Sequence, residues 1–230
     1  MNPTVTKWRV LLVDDHPLLR NAITSLLNAE NDFSVCGEAD DIETSLRLIA
    51  TLKPEIVILD LTLRSGDGLE SLHRIKEQFP KTKVLVFSGR DESIYALRVV
   101  RAGALGFVRK EESVEKLLLA LRMVANGIVY LSEEVEAQLL NAPDADKIPL
   151  PQSPVASLTD RELQIFTLYG RGNGTSQIAE RLGLSIKTVE AHRTNIKEKM
   201  NIKSAAEFLR RAIEWMSGDD GRNPDVKSPH

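Results

Sequence analysis

Cysteine is nearly absent from this chain of 230 residues: there is one, Cys36. A lone thiol cannot close an internal disulfide, and its run FSVCG reads as a strand, so the expectation is a buried thiol without function. Long apolar stretches are missing as well. The longest runs are strand-length, far short of the roughly 20 residues of a membrane-spanning helix, and the start MNPTVTKWRV lacks the apolar stretch of a secretion signal. The expected setting is the cytoplasm, with no membrane partner. Internal repeats are not visible. Nor is a nucleophile with its base, and the glycine-rich stretch at 64–68 lacks the lysine of a phosphate-cradling loop, which argues against an enzyme. No sign of charge dominates the whole, at net −3, but the halves differ: residues 1–140 carry 17 Lys and Arg against 21 Asp and Glu, and residues 155–217 carry 10 against 7. An acidic half joined to a basic half suggests two jobs, the second with an anionic partner.

What is present begins with strand-like runs at Val10–Val13, Phe33–Gly37, Ile56–Leu59, Val84–Phe87 and Leu105–Val108. Between them lie segments of helical spacing, such as Leu18, Leu19, Ala22, Ile23, Leu26 and Leu27 behind Pro17. This βα alternation predicts an α/β domain over residues 8–126, a five-stranded doubly wound parallel sheet closed by a helix from about Ser113 to Asn126 that Gly127 stops. A short helix from Ser132 to Leu140 and a stretch with prolines at 143, 149, 151 and 154 then form a linker over 127–154. Beyond it the pattern is purely helical. Thr159 with Glu162, and Ser204 with Glu207, carry capping-box spacing, predicting a small all-α four-helix domain over 155–217, followed by a disordered tail at 218–230.

Asp60 is the most informative residue, because it ends one apolar run with a carboxylate just as Asp14 and Asp15 end another. If both runs are buried parallel strands, all three acids share the C-terminal rim of the sheet, where such folds bind ligands. Three close carboxylates repel one another, so they must take up protons or hold a cation, and Mg²⁺ suits oxygen donors while keeping positions open for phosphate. Lys110 and Ser88 reach the same rim. That set suits phosphoryl transfer to Asp60, with the metal and Lys110 stabilising the transferring oxygens. Acids at strand ends also serve as turn residues or helix caps, and five suitable residues on one rim weigh against that reading.

The motifs VDDHP at 13–17, ILDL at 58–61, FSG at 87–89 and GALGFVRK at 103–110 resemble the receiver domain of two-component response regulators, which has a flavodoxin-like fold. The resemblance implies that Asp60 accepts a phosphoryl group from a sensor histidine kinase. It further implies that Asp15, Asp60 and the carbonyl of Thr62 bind Mg²⁺ directly, with Asp14 acting mostly through water, and that Ser88, Phe107 and Lys110 form the switch. Two features depart or stand out. Arg64 replaces the family's usual proline four residues after the acid, freeing the loop. Thr62 and Arg90 occupy positions that tune phosphoryl lifetime, and Arg90 is expected to contact the phosphoryl group.

In the basic half a helix at about 175–182 ends at Gly183 and a second runs from Ser185 to about Met200, the tight turn of a helix-turn-helix. Ile186, Val189, Ile196 and Met200 fall near one face of the second helix; Lys187, Glu190, Arg193, Thr194 and Lys197 lie elsewhere. LTDREL at 158–163 and IAERLGLSIKTVEAHRTNIKEKM at 178–200 resemble the LuxR-type helix-turn-helix, and its union with a receiver resembles the NarL/FixJ subfamily. That resemblance implies a DNA-binding set in which Thr188, with Val189, anchors the start of the recognition helix, Glu190, Ala191, Arg193 and Thr194 face bases or backbone, and Lys187, Lys197 and Lys199 contact phosphates. His192 is read as a packing or phosphate-contact residue, since no second His or Cys lies at metal-ligand spacing. The exposed part of the final helix, among Phe208, Leu209, Ala212 and Ile213, is expected to pair two copies on a twofold-related site. RNA polymerase is a further partner that the family admits. The rival reading is a receiver adaptor whose helices bind another protein.

Overall fold

The computed structural model describes residues 7–63, 68–140 (the backbone alone for 138–140) and 154–216. The chain divides into two compact units, residues 1–149 and 150–230. Arg64, most of the proline-rich stretch and the tail from residue 218 lie outside the described residues.

In the first unit five strands, β1 (Trp8–Val13), β2 (Phe33–Ala39), β3 (Ile56–Leu59), β4 (Lys83–Ser88) and β5 (Gly106–Arg109), alternate with α1 (Pro17–Ala29), α2 (Ile42–Leu52), α3 (Gly68–Gln78), α4 (Glu92–Arg101) and α5 (Val114–Ala125). All pairings are parallel and the order is β2-β1-β3-β4-β5. The central strands read as unbroken apolar runs because helices cover both faces of the sheet. On one face Val10, Leu12, Ile56, Ile58, Leu85 and Phe87 pack with α1 and α5 residues such as Leu27 and Leu121; the alternate residues, buried too, serve the other face.

β2 lies at an edge, and its register with β1 slips between Val10 and Leu11, which pair with Val35 and Gly37. Cys36 is the skipped residue of this bulge. It is half-buried rather than buried, correcting the expectation from its strand-like neighbours, and partial desolvation pushes its thiol pKa up. After α5 the chain returns along the free edge of β5, where Tyr130 donates to the Leu105 carbonyl at 2.8 Å and accepts from the Phe107 amide at 3.3 Å. Leu131 and Val135 are buried behind it, as α6 (Glu133–Leu140) packs on α4.

The second unit opens with a 3-10 turn at Pro154–Ser157, followed by α7 (Asp160–Gly170), α8 (Thr175–Leu182), α9 (Ile186–Lys199) and α10 (Ala205–Met216). The capping box at Thr159 and Glu162 is complete in both directions. At the second site the Ser204 hydroxyl accepts from the Glu207 amide at 3.1 Å, but the Glu207 carboxylate reaches back to the Lys203 amide. Gly183 caps α8 at φ +62, a left-handed conformation that L side chains resist, and Ser185 then caps α9 through the Thr188 amide at 3.0 Å. The two helices are thus fixed across a three-residue turn.

The core of this unit is aromatic. Phe166 and Tyr169 each meet Phe208 edge-to-face, at 5.4 and 5.1 Å between ring centres. Val189, Ile196 and Met200 enter it from α9, but Ile186 does not, standing 50% exposed at the first helical position. Phe208 and Ala212 are also enclosed, at 1% and 0% exposure, because they face α7; only Leu209 and Ile213, at 45% and 47%, remain of the four expected pairing residues.

Candidate functional site

Adjacent parallel strands β1 and β3 place their ends side by side: Val13 is in register with Leu59, and the Asp60 amide donates to the Val13 carbonyl at 2.8 Å. The next residues of the two strands are Asp14 and Asp60, both buried. Oxygens of Asp14, Asp15 and Asp60 and a ring nitrogen of His16 all lie within 4.8 Å of one another. Lys110, just past β5, sets its Nζ 2.7 Å from Asp14 Oδ2 and 2.8 Å from Asp60 Oδ2. Burial works against the lysine's charge, but the Asp60 and Asp14 carboxylates outweigh it and hold its pKa above the ordinary value.

Three carboxylates face a single ammonium, and the donors are hard oxygens. That chemistry fits a hard divalent cation. Thr62 folds over the same group, its amide donating to Asp60 Oδ1 at 3.0 Å and its hydroxyl to Oδ2 at 2.5 Å. Gly68, at the start of α3, lets this loop lie close, since a Cβ there would stand 2.1 Å from the Leu61 Cα.

Ser88 ends β4 fully buried, and its Oγ accepts from the Arg90 amide at 3.4 Å. Phe107 is buried inside β5. The Arg90 guanidinium, expected toward the acids, packs over the Tyr95 ring at 5.9 Å. Two residues that sequence reasoning passed over complete the rim. His16 Nδ1 lies 2.9 Å from Asp14 Oδ1 and 3.0 Å from Asp15 Oδ1, and an Arg20 guanidinium nitrogen donates to the Asp14 carbonyl. Adjacency in VDDHP was the available signal for His16; for Arg20, one turn into α1, there was none.

In the second unit Lys187, Glu190, Ala191 and Thr194 stand exposed on α9, with Asn195 and Glu198 beside them and Lys197 half-buried. Thr188 is occupied at the cap, its hydroxyl 2.8 Å from Ser185 Oγ. His192 is half-buried, without a metal-ligating neighbour among the described residues. Two basic residues contact the protein itself, Arg193 half-buried and Lys199 exposed. The Arg193 guanidinium lies over the Tyr169 and Phe208 rings at 5.4 and 5.2 Å, and Lys199 Nζ donates to Glu162 Oε2 at 2.6 Å.

Comparison with known proteins agrees with this geometry unit by unit. The response regulator receiver domain family matches residues 10–122, and the bacterial regulatory proteins, luxR family, matches residues 156–212. The oxygen regulatory protein NreC of Staphylococcus epidermidis RP62A is 34% identical over 211 residues, covering 90% of this chain and 97% of that protein. The chain is a response regulator. The oxygen regulatory protein NreC of Staphylococcus aureus RF122 is 33% identical to it over 210 residues, with the same coverage. Among solved structures, a LuxR-family response regulator from Aurantimonas sp. SI85-9A1 is 30% identical, covers 59% of this chain and 96% of its own, and superposes with a TM-score of 0.55. RcsB from Salmonella enterica serovar Typhimurium, bound to promoter rprA with the phosphomimetic BeF3-, shares the fold at TM-score 0.73 and 22% identity, covering 92% of this chain and 99% of RcsB. The response regulator joins a receiver to a luxR-type helix-turn-helix domain, the arrangement of a phosphorylation-controlled transcription regulator. No helix among its described residues is long and apolar enough to cross a membrane.

Proposed function

We propose that the protein acts in the cytoplasm as the output component of a two-component system, taking a phosphoryl group on Asp60 and changing its affinity for DNA in response. The observation that carries this is the pair of contacts from Lys110 to Asp14 and Asp60 in a cluster that also gathers Asp15. Asp15 and Asp60, with the Thr62 carbonyl and with Asp14 through water, would hold Mg²⁺, which supplies positive charge opposite the transferring oxygens. An Asp60 carboxylate oxygen forms the new bond to phosphorus while the bond to the kinase histidine nitrogen breaks. Lys110 then has two acceptors to choose between, and can follow the charge from Asp60 to the phosphoryl oxygens. Ser88 supplies a hydroxyl donor, and Phe107 shifts with it.

On the output side, Lys187, Glu190, Ala191 and Thr194 form the exposed face that enters the major groove, with Lys197 at its edge as a phosphate contact. RcsB, solved in complexes with DNA, carries the same fold, which supports a DNA-binding role for this chain. Leu209 and Ile213 are the apolar residues left on α10 for pairing two copies, and RNA polymerase is the remaining partner. Arg90, packed on Tyr95, would reach the phosphoryl group only by leaving that ring.

Intact-mass measurement with a small acyl phosphodonor and Mg²⁺ tests the transfer. The full chain should gain one alkali- and hydroxylamine-labile phosphoryl group and Asp60→Asn none. Equal labelling of the variant would refute the assignment.

A further inference from the structure

Of the basic side chains on α9, two contact other helices of the unit, Arg193 half-buried and Lys199 while itself still exposed. Lys199 sits in the last turn, where a cation also suits the helix dipole, and its ammonium meets a carboxylate that is almost wholly enclosed. That carboxylate has a second duty: Glu162 Oε2 accepts from the Thr159 amide at 2.8 Å, closing the capping box of α7. Burial works against the Glu162 charge, yet the Lys199 and Thr159 contacts outweigh it and hold its pKa below the ordinary value. One group therefore fixes the start of α7 and the end of α9 together.

Six residues earlier on α9, Arg193 bridges two other helices. Its guanidinium spans Tyr169 of α7 and Phe208 of α10, rings already locked edge-to-face at 5.1 Å. The Tyr169 hydroxyl in turn lies 2.9 Å from the Thr175 hydroxyl at the start of α8, so this cluster touches all four helices. Val189, Ile196 and Met200 pin the apolar side of α9. The two cationic side chains add directional ties from α9 to α7 and α10.

We infer that Arg193 and Lys199 are positioning residues for DNA recognition, setting the rotation and axial register of α9, and that Lys187 and Lys197 make the phosphate contacts. This departs from the family-derived expectation for both anchors, and it rests on α9 being the recognition helix. A cation that neutralises a phosphate releases counterions, so its removal makes the slope of log K against log salt shallower by about 0.9 per contact. A cation that only positions α9 leaves that slope alone.

The test uses the full chain and a duplex that the wild type selects from a randomised pool, with binding measured from low to moderate salt against both that duplex and the starting pool. Lys187→Met should flatten the slope by about 0.9 per contact and weaken both duplexes alike. Lys199→Met and Arg193→Met should keep the wild-type slope and lose preference for the selected duplex over the pool, and Lys199→Arg should restore that preference. Thermal melting identifies any variant that does not fold; for those, the slopes of Lys199→Arg and Arg193→Lys must still equal the wild type's. A flattened slope with unchanged preference in Lys199→Met or Arg193→Met would overturn the inference. Failure of the wild type to enrich any duplex would overturn the reading of α9 itself.

Discussion

Lys110 shows how a single residue joins the fold to the chemistry. Its ammonium holds together carboxylates that would otherwise repel, so the acidic cluster proposed to hold a metal cation is also stabilised by a cationic side chain. The pKa of Lys110 is raised on folding, so its contribution is complete below the ordinary lysine range and is lost as pH rises through the folded value. In metal-free buffer the urea midpoint of the first unit, followed through Trp8 in a Trp215→Phe background, should therefore exceed that of Lys110→Met at neutral pH. The gap should close as pH climbs past the lysine range. A gap independent of pH would show that the lysine stabilises by packing. Asp14, Asp60, Ser88 and Lys110 were legible because each follows an apolar run, and a parallel sheet delivers all such positions to one rim. His16 could be found only through its place beside the acids in VDDHP, and Arg20 acts through a bond that depends on the turn into α1, which no residue pattern encodes. The direction of Arg193 was hidden for another reason: its long apolar stem and flat guanidinium suit an aromatic surface as well as a phosphate, and helical spacing does not choose between them.

Elements were readable where burial is two-sided or where caps are explicit. β3 matches its apolar run residue for residue, whereas β1, β2 and β4 extend past theirs into residues whose pairing, rather than hydrophobicity, makes them strand. The bulge at Cys36 left no mark in the sequence, since it arises from the pairing of β2 with β1. Caps carry more. Thr159→Ala removes one side of the α7 capping box and should cost about 1 kcal/mol in a denaturant titration of the full chain followed through Trp215. Glu162 adds a pH signature. Its pKa is depressed on folding, so its contribution is present above the ordinary glutamate range and disappears as pH falls through the folded value. The second unit should accordingly lose stability in mild acid, and Glu162→Gln should remove that part of the loss. An acid limb of the same size in Glu162→Gln would place the titration elsewhere.

At the scale of the whole molecule, the uneven charge has a direct consequence. The net −4 of residues 1–140 and the net +3 of residues 155–217 put like charge near the phosphoryl site's own acids and opposite charge on the half that meets DNA. Phosphorylation at the proposed Asp60 site would deepen the negative charge of the first unit, and a change of that kind need only shift an equilibrium between conformations to alter binding by the second. The central claim is that this coupling exists, and one titration addresses it: fluorescence anisotropy of a selected duplex with the full chain, with and without phosphodonor and Mg²⁺, for wild type and Asp60→Asn. The account predicts an affinity that changes with phosphodonor in the wild type and stays fixed in Asp60→Asn. Identical curves in all four conditions, with Asp60 fully phosphorylated by mass, would contradict it.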